Sequence, residues 1–161
     1  MLSKLFSRPT VELALKAHDR EQAFRELISL IPALSDGQRA GLLLSLLGRE
    51  RLGSTGLGHA VAMPHTRYAV PGVTRPQIIF GRHAGGIPYG SLDGTPVRLF
   101  FLLVSPDVAQ HLQILSRLSR VLRDTQLRDE LLSATTLDDV FQSIEEADQR
   151  LNSRPAPVAV G

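Results

Sequence analysis

The stretch Arg49-Glu50-Arg51-Leu52-Gly53-Ser54-Thr55-Gly56-Leu57-Gly58-His59-Ala60-Val61-Ala62-Met63-Pro64-His65 decides how the rest of the chain is read. It passes from a basic helix end through a glycine-rich loop into a short apolar run, and it stops at Pro-His. Glycine lets the backbone turn where a side chain would clash, and turns of that kind can aim N–H groups at an anion. Ser54 and Thr55 add hydroxyls able to donate to phosphate oxygens. Pro64 fixes its own φ and has no N–H, so the pattern predicts a strand that ends there and presents His65 at its tip. A neutral imidazole nitrogen is a nucleophile, and an ordinary pKa of about 6.5 leaves it mostly neutral at physiological pH. A nucleophilic histidine beside anion-binding groups suggests a phosphohistidine.

Working outward, Val11, Leu13 and Leu15 alternate with polar or small residues and predict a first strand over 11–15. Asp19 opens a helix with Ala23, Phe24, Leu27, Ile28 and Ile31 on one side, closed or bent at Pro32. Ser35 or Asp36 can cap the next helix, whose leucines run to Leu47. Downstream of His65, residues 77–82 predict a strand, and Gly85-Gly86-Ile87-Pro88-Tyr89-Gly90 is loop by composition. Val97 to Val104 is an apolar run of strand length, suited to a sheet covered on both faces. Ser105-Pro106-Asp107 starts a helix with His111 in its first turn and a broad apolar stripe from Val108 to Leu122, which predicts close packing on the sheet. Two more helices are expected over 125–132 and 137–150. The alternation of strands and helices predicts an α/β fold: a single domain over 1–150, a central mixed β-sheet and helices packed on both faces. Residues 151–161, rich in proline and small residues, are expected to form a disordered tail.

Composition sets bounds. The chain has 161 residues, enough for one domain with its own core. Its hydrophobic fraction of 43% and charged fraction of 21% are those of a soluble globular protein. A net charge of only +2 gives no argument for nucleic-acid binding. Without cysteine there is no disulfide, thiolate catalysis or cysteine zinc site, which fits a cytoplasmic location. The first residues do not resemble a signal peptide, and Leu42-Leu43-Leu44-Ser45-Leu46-Leu47 is too short to span a bilayer, so no stable membrane insertion is expected.

Rival chemistries fit less well. A dinucleotide fingerprint follows a strand and opens a helix, whereas this glycine loop follows a helix and opens a strand. His59 and His65 stand six apart with no carboxylate-rich spacing around them, so no metal site is expected. No Gly-x-Ser-x-Gly motif is present. His18 and His83 read as surface or loop residues. His59 has two readings, a structural hydrogen bond or a contact with the site. Taken alone, His111 reads as a helix-terminus residue bonded to a neighbouring loop, and Arg49 as a basic side chain at a helix carboxyl end.

The block from Gly53 to His65 resembles the active-site signature of enzyme IIA domains of the fructose/mannitol type, components of the bacterial phosphoenolpyruvate-dependent phosphotransferase system. Gly48-Arg49-Glu50-Arg51 is most similar to the nitrogen-related regulatory members. Asp93-Gly94-Thr95-Pro96-Val97-Arg98-Leu99-Phe100-Phe101-Leu102-Leu103-Val104 resembles the family's later strand. His111-Leu112-Gln113-Ile114-Leu115-Ser116-Arg117-Leu118-Ser119-Arg120-Val121-Leu122 resembles the helix carrying its second histidine. The sequence departs from the common pattern at Met63, where isoleucine or valine is usual, and at Thr66-Arg67, where Gly-Lys or Gly-Arg is frequent.

The resemblance implies a phosphoryl carrier. His65 would take phosphate from a histidine phosphocarrier protein, with His111 flanking it and bonding the phosphoryl group. Arg49, Ser54 and Thr55 would contact the phosphate oxygens. No metal, nucleotide or other cofactor is expected at the site. The expected rim for docking the donor is Leu57, Val61, Met63, Tyr68 and Leu112. The absence of a IIB or IIC module, together with the Arg49 block, favours regulation of a partner such as an ion transporter or sensor kinase. The alternative is sugar transport, with phosphate passed to a fructose-type IIB domain.

Overall fold

The run from Val97 to Val104 forms the spine of the molecule. In the computed structural model, which describes residues 1–154, it is strand β5, and its neighbours cover it on every side. The other strands are β1 (Val11–Glu12), β2 (Gly56–Gly58), β3 (Val61–Ala62) and β4 (Gln77–Ile87). They form one five-stranded sheet in the order β1-β4-β5-β3-β2. β1 runs parallel to β4 and β3 parallel to β5, while the β4–β5 and β2–β3 pairs are antiparallel. The sheet is therefore mixed, as expected.

Successive side chains of a strand point to opposite faces, and the core divides accordingly. Phe100, Leu102 and Val104 join Ala62 and Ile79 on the face covered by helices α1 (Arg20–Ser29) and α2 (Asp36–Arg51). Leu99, Phe101 and Leu103 join Val61, Ile78 and Phe80 on the other face, under α3 (Val108–Val121), α4 (Thr125–Ser133) and α5 (Leu137–Ser153). Helices on both faces explain why β5 is apolar almost throughout. The caps are those the sequence offers. Asp19 accepts from the Gln22 N–H, Ser35 makes a reciprocal capping box with Gln38, and Asp107 accepts from the Gln110 N–H.

Four expectations need correction. The first strand stops at Glu12. The chain bends at Leu13 and Ala14, where the Arg82 guanidinium takes the Leu13 carbonyl, and Leu15 crosses to the face opposite Val11. Part of the expected loop 85–90 is strand, because β4 continues to Ile87 opposite Val97 through an irregularity containing Gly86. Gly86 has φ +81°, and a Cβ there would lie 2.9 Å from Pro96 Cβ, so only glycine fits. The stripe on α3 is not uniformly buried: His111, Leu118 and Val121 face inward, whereas Val108 and Leu112 are exposed. Finally, α5 runs past residue 150 to Ser153, and Asn152 accepts from Arg117, so the helix takes in the first residues assigned to a tail. The rest of that expected tail, 155–161, lies outside the described residues.

Candidate active site

His65 is carried just past the end of β3, beside the central strand β5. Beyond β3 the chain stays beside β5: Leu103 N–H donates to the Pro64 carbonyl at 3.0 Å, and His65 bridges to Leu103. The missing N–H of Pro64 costs nothing here, because only its carbonyl faces β5. The His65 ring is fixed in turn by its own chain, with Nδ1 2.8 Å from the Met63 carbonyl oxygen. A carbonyl can only accept, so Nδ1 carries the proton and Nε2 presents its lone pair. Burial is the largest influence on this imidazole and holds its pKa below the usual 6.5. The Met63 bond opposes that shift, the positive charge of Arg49 adds to it, and the negative charge of Glu50 opposes it.

His111 reaches the same place from α3. The two imidazoles lie 5.8 Å apart between centroids, at an interplanar angle of 49°. His111 is 5% exposed, and neither ring nitrogen has a hydrogen-bond partner among the described residues. Burial, then the neighbouring His65, lowers its pKa; a contact with the Thr66 backbone, outside hydrogen-bond geometry, works in the opposite direction. A buried polar group without a partner is uncommon, and here it lies beside a second histidine.

The glycine-rich loop is pinned at both ends. Arg49 Nη1 donates to the Gly53 carbonyl at 2.7 Å, and Ser54 Oγ accepts from the Gly56 N–H at 3.0 Å. His59 and Ala60 turn the β2–β3 hairpin with positive φ, and the His59 N–H is held by Asp93 Oδ2 at 2.9 Å. His59 thus makes a structural bond through its backbone, and its side chain is exposed. Thr55 departs from expectation. Its hydroxyl is buried and donates to Glu50 beside the Tyr89 hydroxyl, so its donor is already engaged within the protein.

Glu50 is the residue that sequence reasoning missed. Its side chain is 1% exposed, and it also accepts from the Thr55 N–H at 3.1 Å and the Tyr89 hydroxyl at 2.9 Å. Arg20 of α1 stands 3.7 Å from it. Burial, then the nearby Glu50 charge, raises the Tyr89 pKa, which keeps that phenol a donor. A glutamate between two arginines in a helix reads as a surface residue, so only the apolar Leu42, Leu43 and Leu46 on the same face hinted at its burial. The rim also differs: Leu57, Tyr68 and Leu112 are exposed as expected, joined by Leu52 and Val108, but Val61 and Met63 belong to the core. Among the described residues no group of histidines and carboxylates is arranged to hold a metal, and no helix is long and apolar enough to cross a membrane.

The fold is of the enzyme IIA class. The solved structure of nitrogen regulatory protein IIA-Ntr from Neisseria meningitidis superposes with a TM-score of 0.79 at 29% identity, covering 88% of this chain and 97% of that one. Residues 4–147 match the family model described as "Phosphoenolpyruvate-dependent sugar phosphotransferase system, EIIA 2", and the chain belongs to that family. It is 34% identical to the nitrogen regulatory protein of Bradyrhizobium diazoefficiens over 80% of this chain and 84% of that protein. It is also 32% identical to the PTS system fructose-specific EIIABC component of Bacillus subtilis over 92% of this chain, but spans only 24% of that longer protein.

Proposed function

We propose that this protein is a cytoplasmic phosphoryl carrier that accepts phosphate on His65 from a histidine phosphocarrier protein and regulates partners through its phosphorylation state. The observation that carries this reading is the histidine pair, one ring with its tautomer fixed through Nδ1, the other buried beside it with no hydrogen-bond partner among the described residues. In the reaction, the Nε2 lone pair attacks the phosphorus of the donor's phosphohistidine. A new N–P bond forms as the donor's N–P bond breaks, and that bond's electron pair returns to the donor imidazole. Positive charge developing on the His65 ring is met by the Met63 carbonyl at Nδ1. His111 supplies an N–H to a phosphoryl oxygen, Arg49 supplies charge, and the Ser54 hydroxyl is available to donate. In-line approach and stabilisation of the transferring group are what such a step requires of the protein.

Regulation is favoured because the match to a nitrogen regulatory protein extends over most of both chains. A phosphoryl group adds about 1.5–2 negative charges. A partner seated on Leu52, Leu57, Tyr68, Val108 and Leu112 would meet that charge at the centre of an apolar rim. The alternative is transfer to a fructose-type IIB domain, supported by the EIIABC relative. Incubation with phosphoenolpyruvate, enzyme I and the carrier protein tests the carrier reading. Acid-labile label is expected on the protein and absent from His65→Ala; label on that variant at another residue overturns the assignment. Rapid passage of phosphate to a sugar-specific IIB domain, with no partner distinguishing the two states, would leave transport in place of regulation.

A further inference from the structure

We propose that Glu50 is a positioning residue for His65, acting through a continuous train of hydrogen bonds that runs from its buried carboxylate to the nucleophilic ring. This assignment rests on the carrier reading for its functional consequence, but its structural content stands apart from it. The train begins where the Thr55 N–H donates to Glu50 Oε2 at 3.1 Å and the Thr55 hydroxyl donates to Oε1. The Thr55 carbonyl then accepts from the Met63 N–H at 3.0 Å. The Met63 carbonyl in turn accepts from His65 Nδ1 at 2.8 Å. Thr55 and Met63 each donate through their N–H on one side and accept through their C=O on the other, so the backbone at both residues is fixed in series between the carboxylate and the ring.

The carboxylate end is held from several elements. Tyr89, in the segment after β4, donates its hydroxyl to Oε1 at 2.9 Å. Arg20 of α1 approaches Oε2 at 3.7 Å, donates to the Tyr89 carbonyl at 3.2 Å and lies over the Tyr89 ring at 5.5 Å. The charged and titratable groups around this train are therefore Arg20, Arg49, Glu50, Tyr89 and His111. A buried carboxylate needs this many donors to remain charged in the interior. A loop that needed only to turn would not require one. What the carboxylate adds is a fixed path for residues 53–56, hence a fixed Met63 carbonyl, hence one tautomer and one orientation for His65. The arrangement does through the backbone of two residues, Thr55 and Met63, what a carboxylate does directly when it orients a catalytic histidine.

The test uses the full chain. Glu50→Gln keeps the shape but turns one oxygen into a donor facing donors and removes the charge. Two readouts are taken: the nitrogen chemical shifts of the His65 ring through a pH titration, and the rate of phosphate acceptance from the carrier protein. The proposal expects loss of the single His65 tautomer, a lower titration midpoint, and a rate lower by roughly 10- to 100-fold, the scale of a small misplacement of a reacting group. A folded Glu50→Gln protein with wild-type tautomer, midpoint and rate overturns it. Should that variant fail to fold, Tyr89→Phe and Thr55→Val each remove one hydroxyl from the carboxylate. Both must then shift the His65 tautomer balance in the same direction by smaller amounts, or the proposal falls. If even the wild-type protein takes no label at His65, the carrier reading fails, while the tautomer comparison still decides the role of Glu50.

Discussion

The two histidines of the site sit in opposite settings. His65 stands past the end of β3, with its chain bridged to β5 and its Nδ1 hydrogen-bonded to the Met63 carbonyl. His111 projects from the first turn of a helix whose exposed neighbours, Val108 and Leu112, touch little. His111 is more buried, yet neither ring nitrogen has a hydrogen-bond partner among the described residues. One ring has its tautomer and direction fixed before any reaction. The other keeps both nitrogens uncommitted, so it can donate to whatever group arrives between them. A nucleophile gains from being held in one tautomer, and a stabiliser gains from keeping a donor in reserve for charge that appears later.

The largest test of this contrast is removal of the nucleophile. His65→Ala is expected to abolish phosphate acceptance while leaving the fold intact, read by labelling beside circular dichroism. His111→Ala should still accept phosphate but pass it on about 100-fold more slowly, the scale for loss of one positioned donor to a developing charge. Equal losses at the two positions, in the same step, would erase the distinction between them.

Titration sharpens the contrast further. Both pKa values are depressed, by burial first in each case. A depressed histidine binds its proton more weakly folded than unfolded, so unfolding takes up protons between the two values. Stability from these two rings is thus fully present above the ordinary value of about 6.5 and is lost as pH falls through the lower, folded values. The melting temperature should fall on acidification below about pH 6.5, and His111→Ala should flatten part of that slope. The rate of acceptance should stay level down through pH 6.5 and decline only lower, as His65 protonates. A rate that already halves at the ordinary value would contradict the burial argument.

The same contrast explains what was legible beforehand. The sheet, its two helical layers and the caps at Asp19 and Ser35 follow from local patterns: period, apolar runs and donors at helix starts. His65 was legible because Pro64 and the glycines are punctuation that only a few backbones tolerate. Glu50 was not, because nothing local tells a buried carboxylate from a solvated one; its burial depends on Tyr89 and Thr55, one of them 39 residues away. The direction of the Thr55 hydroxyl was hidden for the same reason. Leu15 was misplaced because a bend at Leu13–Ala14 breaks the period on which the strand reading relied. Val61 and Met63 read as rim because they adjoin His65 in sequence, but side chains on a covered sheet are buried on either face.

The smallest expected effect separates docking from chemistry on α3. Leu112 follows His111 directly and is 59% exposed, so its side chain contributes little to the core. Replacing it with alanine should change stability by no more than about 0.5 kcal/mol, the usual range for a surface position. If the apolar rim receives the donor protein, the same substitution should raise the donor concentration needed for half-maximal labelling several-fold and leave the saturated rate near wild type. That pattern is loss of binding that is equal in the ground and transition states. His111→Ala should do the reverse in onward transfer, lowering the saturated rate with little change in the concentration required. Two adjacent residues on one helix turn would then report the two functions separately. A Leu112→Ala protein with an unchanged concentration dependence would remove this part of α3 from the docking surface and leave the exposed Leu52, Leu57 and Tyr68 to carry it.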